Sequence, residues 1–330
     1  MKNVSKLALF VAAGMASASV HAATIDIRED TTLSIAGEFN AFYLDLDAVD
    51  TSLDSADSGT NAEEAENNEN DVDGALEFEV SAVRSFTDFD AYVSAIFEFT
   101  TLEAGGSGLG SDEAVAGLKG DFGQIEVGHT DSVYEDLIHD AVDPFEEATL
   151  VDSDIGLDED TMITYYTPDM SGFSLNLQLG IEDEAQKDVS NTEGSLIASA
   201  AYDFGAGALH VGYDDLGTNA DSSDQIIGVA AVFNVGDAAE VAINHEMQTV
   251  SDADTDFTGV ALSVDYGPGD IYGAYKGVSS AANEDQSQYA LGLDYEIESD
   301  FKLWFELANF DGQSATDADS LVGIGTEYKF

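Results

Sequence analysis

The sequence predicts an all-β protein, a single transmembrane antiparallel β-barrel of about 16 strands. Three observations support this fold class. Segments of about ten residues, in which apolar and polar residues alternate, recur along the chain and are long enough to cross a bilayer when tilted. The connections alternate between short turns and longer acidic loops, as in outer-membrane barrels. The apolar side of these segments carries almost no charge through its middle, although the chain has 67 acidic residues.

The first 22 residues predict a signal peptide rather than part of the barrel. Lys2 and Lys6 precede an apolar core at residues 7–15, and Val20-His21-Ala22 has the small side chains of a cleavage site. The apolar core is too short to cross a bilayer as a helix. We therefore expect cleavage after Ala22 and one barrel domain over residues 23–330.

The first predicted strand covers Leu33 to Tyr43, where apolar residues alternate with polar ones. Residues 47–73 are a low-complexity run of Asp, Glu, Asn, Ser and Ala that cannot bury an apolar face, so they predict a long acidic outer loop. Later strands are joined in pairs by short turns. These turns are predicted at Thr87, Gly120, Pro168, Phe204, Val235, Gly267 and Glu298. We expect every other connection to be longer and acidic, which places the long loops at one end of the barrel.

About thirty residues without a clean period separate the strand ending at His129 from the strand beginning at Thr161; a loop of this length is usually functional. We predict that residues 131–158 fold into the barrel as a constriction loop. Its apolar residues should pack on the wall: Val133, Leu137, Ile138, Val142, Phe145 and Leu150. Its acids should project into the aqueous gap: Asp131, Glu135, Asp136, Asp140, Asp143, Glu146 and Glu147, followed by Asp152 and Asp154. The alternative is that these acids face bulk water.

The segments on both sides of this loop resemble those that flank the constriction loop of Gram-negative general porins. The first runs from Leu118 to Asp131 and includes the Gly120-Asp121-Phe122-Gly123 turn. The second is Ile163-Thr164-Tyr165-Tyr166-Thr167-Pro168, followed by Gly172-Phe173. The resemblance extends from the signal peptide to the C-terminal Phe330. It implies a 16-stranded outer-membrane porin, with a water-filled channel for passive diffusion of ions and small hydrophilic solutes and with no cofactor.

The resemblance also implies partners. Porins of this family are homotrimers in the outer membrane of Gram-negative bacteria, so we expect three copies in contact with outer-membrane lipid and lipopolysaccharide. In that family, a C-terminal aromatic is the signal read by the barrel-assembly machinery. Tyr328 and Phe330, which share one face of the last predicted strand, match this signal.

The charge of the chain, −58 at pH 7, excludes a nucleic-acid-binding function because such a surface repels phosphates. We expect adaptation to salty water, in which salt screens the self-repulsion, to be the main cause of this total; the alternative is that the acidity is functional. Acids that face the lumen would in addition attract cations, so we expect a cation-preferring pore. Arg28, Arg84 and Lys119 are the candidates for an opposing basic wall. The chain departs from many relatives at His129, where they have a basic residue, and in having only two arginines.

The sequence predicts neither a catalytic nor a metal site. It contains no HExxH, P-loop or nucleotide-binding glycine motif, and the acidic run at 47–73 lacks the spacing of a calcium loop. Three alternatives remain: a substrate-specific outer-membrane channel, a secreted acidic β-sheet adhesin, and a barrel enzyme with a Ser–His or Asp–His pair at the rim. The absence of cysteine argues against a disulfide-stapled secreted scaffold.

Overall fold

A computed structural model describes residues 23–48, 70–100, 109–153, 160–181, 195–216, 224–251, 253–280, 285–310 and 318–330. The predicted signal peptide, most of the predicted acidic loop at 47–73 and the end of the predicted constriction loop, including Asp154, lie outside these residues. Residues 47–48 and 70–73, at the two ends of that acidic run, belong to strands.

The chain is almost entirely β-structure. Its strands are β1 (Ala23–Arg28), β2 (Thr31–Ala48), β3 (Asn70–Asp73), β4 (Ala75–Ser85), β5 (Phe89–Thr100), β6 (Leu109–Gly120), β7 (Gly123–Thr130), β8 (Asp160–Tyr166), β9 (Phe173–Gly180), β10 (Leu196–Asp203), β11 (Gly207–Asp215), β12 (Gln225–Val235), β13 (Ala239–Val250), β14 (Ala253–Asp265), β15 (Asp270–Ser280), β16 (Gln286–Glu298), β17 (Phe301–Phe310) and β18 (Ala318–Lys329). Helix α1 (Glu135–Ile138) and a 3₁₀ helix (Asp140–Val142) lie between β7 and β8. None of the helices in the described ranges is long and apolar enough to cross a membrane.

Sixteen strands, β2 and β4 to β18, form a closed antiparallel barrel. Each pairs with the next along the chain, and β18 pairs with β2 to close the ring. The short strands β1 and β3 add to the edges of β2 and do not change the count. The closure includes Gly37 and Phe330, whose backbone groups exchange two hydrogen bonds of 2.8 Å. The predicted fold class and strand number are therefore confirmed.

The alternation in the sequence corresponds to the two faces of the wall. On β12 and β13, Ile227, Val229 and Ile243 are exposed on the outside, whereas the intervening Ile226 and Glu246 are buried on the inside. A barrel in a membrane exposes such an apolar outer face to lipid. The outer face is not wholly apolar: on β13 and β14, His245 lies beside Thr258 and Asp256.

The short turns fall at one end of the barrel, as predicted. Two connections at the opposite end are shorter than predicted: five residues separate β15 from β16, and two separate β13 from β14. β13 ends at Val250 and β14 begins at Ala253, so no long loop joins them. The ladder between these strands continues to the Val250–Ala253 pair, and Ser251 takes a positive φ of 52°. The ends of β13 and β14 therefore include residues that the acidic composition had predicted to be loop.

Candidate functional site: the loop inside the barrel

The segment from Asp131 to Ser153 lies against the inner face of the wall. Helix α1 contacts β11 and β12, and the 3₁₀ helix contacts β12, β13 and β14. The predicted apolar contacts are confirmed. Val133, Ile138 and Val142 are completely buried, and Phe145 packs edge-on against Tyr272 of β15 with ring centroids 5.5 Å apart.

Two inward-facing glycines make room for the loop. A Cβ atom at Gly212 of β11 would lie 2.5 Å from the Tyr134 ring, and one at Gly228 of β12 would lie 2.3 Å from the Tyr134 hydroxyl; both would also crowd Ile138. Real Cβ atoms do not approach other atoms this closely. The wall is therefore flat where the first turn of the loop presses on it, and larger residues here would displace the loop.

Two glutamine side chains hold the two limbs of the loop by their backbone. Gln178 of β9 accepts a hydrogen bond from the Val133 N–H (2.9 Å) and donates one to the Asp131 carbonyl (2.7 Å). Gln288 of β16 accepts one from the Val151 N–H (2.9 Å). Both side chains are buried, so these bonds are sheltered from competition with water.

The fully buried carboxylate of Glu306 on β17 holds the turn of the loop. It accepts hydrogen bonds from the backbone N–H groups of Glu146 (2.8 Å), Glu147 (3.0 Å) and Ala148 (2.9 Å). The Tyr272 hydroxyl donates a fourth, at 2.9 Å. Hydrogen bonds to a charged acceptor are stronger than neutral ones, so this carboxylate fixes three consecutive residues of the loop.

A second fully buried carboxylate, Glu246 of β13, joins both limbs of the loop. One of its oxygens accepts hydrogen bonds from the Tyr134 hydroxyl (3.0 Å), His139 Nε2 (2.8 Å) and the Ser153 hydroxyl (2.6 Å). The other oxygen accepts one from the Asn244 amide at 3.1 Å. Tyr134 and His139 belong to the entering limb and Ser153 to the returning limb, so this residue ties the loop together as well as to the wall.

The predicted constriction acids lie along the same loop. Asp140 and Glu146 are exposed, whereas Asp131, Glu135, Asp136, Asp143 and Glu147 are half-buried. Burial, together with neighbouring acids including Asp140, raises the pKa of Asp136 to about 8. Burial and the charge of Glu306 raise the pKa of Glu147 to about 7. Burial also raises the pKa values of Asp140 and Asp143 to about 6. Several of these acids therefore change charge near neutral pH.

The candidate basic residues are dispersed. Arg84 is exposed on the outward face of β4 near the short-turn end, where it binds Asp30 (3.1 Å) and lies over the Phe86 ring. Arg28 is exposed on β1. Lys119 is on the inner face of β6, at the short-turn end, opposite Asp90 and Gln124.

The structure brings three other lysines into the lumen, and each is paired with an acid. Lys276 of β15 binds Asp152 and the Leu150 carbonyl. Lys302 of β17 binds Glu146 (2.6 Å) and Glu327 (3.2 Å). Lys329 binds Glu38 at 3.2 Å and Glu327 at 3.1 Å. Sequence reasoning did not select these lysines, although Lys302 shares the polar face of its strand with Trp304 and Glu306.

Acids also line the inner wall on strands away from the loop contacts. Glu38 of β2 is directly opposite Glu77 of β4, which is directly opposite Glu98 of β5. Glu79 lies on the same face and accepts a hydrogen bond from Ser94 at 3.1 Å. Like charges side by side in a sheet are destabilising, and Lys329, which binds Glu38, lies at one end of this row.

The predicted assembly residues lie on the outer surface where the barrel closes. The Phe330 ring packs over Gly37 and meets Phe78 edge-on at 5.8 Å, and it stacks on Tyr328 at 6.0 Å. In the folded barrel, the C-terminal aromatic therefore fills a place on the wall that only glycine at position 37 leaves open.

Comparison with known proteins identifies the family. A family model described as Gram-negative porin matches residues 7–330. The chain belongs to the Gram-negative porin family. The predicted family is thus confirmed, and the chain forms an outer-membrane channel for small solutes. The family and the names of its relatives indicate a channel rather than an enzyme.

Two curated relatives match over nearly their whole length. The chain is 24% identical, over 98% of its own length and 99% of theirs, to a "Monosaccharide porin" of Halomonas sp. and to the "Major outer membrane protein" of Halomonas elongata. Among solved structures, OmpF of Salmonella typhi in complex with daunomycin matches with a TM-score of 0.70 at 14% identity, covering 93% of this chain and 100% of that one. A triple mutant of the Rhodopseudomonas blastica porin matches with a TM-score of 0.70 at 14% identity, covering 90% and 100%. These structural matches agree with the fold described above.

Proposed function

We propose that this porin is a passive, cation-preferring channel for ions and small hydrophilic solutes. The observation that carries the proposal is the imbalance of charge on the inner surface. Lys276, Lys302 and Lys329 are each paired with an acid. The row Glu38, Glu77 and Glu98 places three carboxylates side by side, and Lys329 pairs with Glu38, the first of them.

The imbalance favours cations for an electrostatic reason. Low-dielectric walls focus the field of fixed charges into the aqueous gap, which raises the local concentration of counter-ions. Rings of carboxylates select cations by this route. The exposed carboxylate of Asp140 would extend the negative surface from the wall onto the loop, and the half-buried Asp136, whose pKa is raised to about 8, would add to it above that pH.

Of the candidate opposing cations, Lys119 fits that role best because it lies on the inner face. Arg84, on the outward face and bound to Asp30, would act on the lumen only from a distance. Arg28 on β1 is likewise exposed. We therefore propose that the positive field opposing the lumen acids is weaker than three lumen-facing cations would produce.

Reversal potentials across a planar bilayer test the proposal. In a KCl gradient, the Glu77→Gln/Glu98→Gln double variant should show a smaller preference for K⁺ over Cl⁻ than the wild type. A matched control is Asp237→Asn, which removes a charge from the exposed turn between β12 and β13. Equal loss of preference in both variants would show that total charge, and not the inner row, sets the selectivity.

We further propose a homotrimer, processed by cleavage after Ala22 and recognised by the assembly machinery through Tyr328 and Phe330. Support comes from the porin fold and from the outward position of these two aromatics at the barrel seam. Unheated gel electrophoresis and mass measurement in detergent should give three chains per particle. N-terminal sequencing of the mature protein should begin at Ala23.

Monosaccharides are the second candidate class of permeant. One relative is named a monosaccharide porin, and a neutral sugar would cross an acidic lumen without electrostatic cost. Liposome swelling tests this directly. Liposomes containing the protein should swell in isotonic solutions of a monosaccharide faster than in those of a trisaccharide. Equal rates for both sugars, or no swelling above that of empty liposomes, would contradict this candidate.

A further inference from the structure

Three potential metal ligands meet where the loop crosses β13. They are His139 after α1, Asp152 on the returning limb and Glu246 on the wall, and their ligand atoms all lie within 4.8 Å of one another. His139 Nε2 is 2.8 Å from a Glu246 oxygen. These residues come from distant positions in the chain, so their convergence is a product of the fold.

The donor set suits a divalent transition metal. Zn²⁺ is bound by one imidazole nitrogen and carboxylate oxygens at about 2.0–2.2 Å, so ligand atoms around one ion are roughly 3.3 Å apart. The three ligands would need only small movements to reach that geometry. The Ser153 hydroxyl, 2.6 Å from Glu246 and 3.1 Å from His139 Nε2, marks a place for a fourth oxygen ligand or a water molecule.

The surroundings orient the ligands and leave a path to them. Glu246 is held by hydrogen bonds from Tyr134 and Asn244, and partners of this kind support metal ligands in proteins. The side chain of Asp152 remains 14% exposed, whereas that of Glu246 is completely buried. An ion would therefore enter from the side of Asp152.

Two positive groups compete with a metal ion here. The Lys276 ammonium binds Asp152. The proton on His139 must also leave, because a metal binds the neutral imidazole. Burial would lower the pKa of His139, but the hydrogen bond to Glu246 and the charges of Asp152 and Glu246 raise it overall. Binding should therefore weaken as the pH falls through the range in which His139 is protonated.

We propose that His139, Asp152 and Glu246 form a binding site for a divalent transition-metal ion, with Zn²⁺ as the probe. The ion clamps both limbs of the constriction loop to β13. It also adds positive charge beside the lumen, and this electrical consequence rests on the proposed cation preference. In the form without metal, the Lys276–Asp152 and His139–Glu246 pairs hold the same segments.

Calorimetry with ZnCl₂ on the chelator-treated, purified porin tests the site. We expect one ion per chain. His139→Gln should weaken binding by about tenfold or more, as the loss of a metal-site residue does. Lys276→Met should tighten binding, because it removes the cation that competes for Asp152. His245→Gln is the control, since His245 is exposed on the outer surface beside Asp256 and lies outside the site.

Several outcomes would overturn the proposal: no saturable Zn²⁺ binding, unchanged binding by His139→Gln, or unchanged or weaker binding by Lys276→Met. Heat-modifiable migration on a gel verifies that each variant is folded. Should Lys276→Met fail to fold, Asp152→Asn serves in its place, and unchanged affinity in that variant would equally reject the site. In bilayers, Zn²⁺ should reduce the preference for K⁺ over Cl⁻ in the wild type and not in His139→Gln. Because the metal-free preference is measured first, failure of the site and failure of the proposed selectivity are distinguishable.

Discussion

Glu306→Gln tests how the loop is held against the wall. One carboxylate oxygen accepts the N–H groups of Glu147 and Ala148, and the other accepts the Glu146 N–H and the Tyr272 hydroxyl. A glutamine keeps one acceptor oxygen and turns the other into an NH₂ group. If the oxygen remains with Glu147 and Ala148, the Glu146 N–H faces another donor.

The magnitude follows from the number of bonds affected. Losing one hydrogen bond to a charged acceptor costs about 1.5–3 kcal/mol, and the two that remain become neutral bonds of about half the strength. The local cost is therefore about 3–6 kcal/mol. Since 1.4 kcal/mol is a factor of ten, local opening of this turn should become at least about 100-fold more frequent.

Amide hydrogen exchange measures this opening directly. In Glu306→Gln, exchange of the Glu146, Glu147 and Ala148 amides should accelerate by about 100-fold or more. The Val133 amide, held by Gln178, should change little. The matched control is Glu77→Gln, which replaces an inner-wall glutamate on β4. Unchanged exchange at residues 146–148 in Glu306→Gln would refute the idea that this carboxylate anchors the turn.

Three further predictions concern charge and closure. Burial raises the pKa values of Asp136 and Glu147 to about 8 and about 7, so both side chains become neutral on acidification. The preference for K⁺ over Cl⁻ should therefore fall between pH 9 and about pH 5. A preference that rises over this range would contradict a role for these two acids in selectivity. Lys302→Met removes a positive charge from the lumen, so it should increase the preference for K⁺ over Cl⁻ measured by the reversal potential. A smaller preference in this variant would contradict the proposal that the balance of lumen charges sets the selectivity. Gly37→Val places side-chain atoms where the C-terminal ring lies, 2.4 Å from a Cβ at this position, so it should reduce the heat-modifiable folded band. The same change at Gly110, where a Cβ meets nothing within 4 Å, should leave the band intact.

Much of the fold was predictable because a membrane barrel imposes a strict rule on alternate residues. Ile227 and Val229 had to face lipid, and the alternation along each strand then fixed which of its residues face the lumen. The same alternation places Lys302 inside, on the face of Trp304 and Glu306, and Arg84 outside, on the face of Val80 and Ala82. The sequence therefore predicts which face of the wall each side chain occupies, even where it does not predict the residue that the side chain contacts.

The anchors of the loop were not predictable, because they join residues that are far apart in the chain. Glu306 contacts Glu146 across 160 positions, and no local pattern distinguishes it from the other acids in the chain. The glycines at 212 and 228 carried a signal, since they interrupt inward faces where side chains usually fill space. Only the structure shows that these two glycines make room for the Tyr134 side chain.

The most direct test of the whole account is the sign of the zero-current potential of the purified wild-type protein in a bilayer with a KCl gradient at pH 8. We predict stepwise conductance increments and a potential that is negative on the concentrated side, as K⁺ leaves that side faster than Cl⁻. A potential of the opposite sign would contradict an acidic lumen. The absence of any conductance would contradict the channel itself.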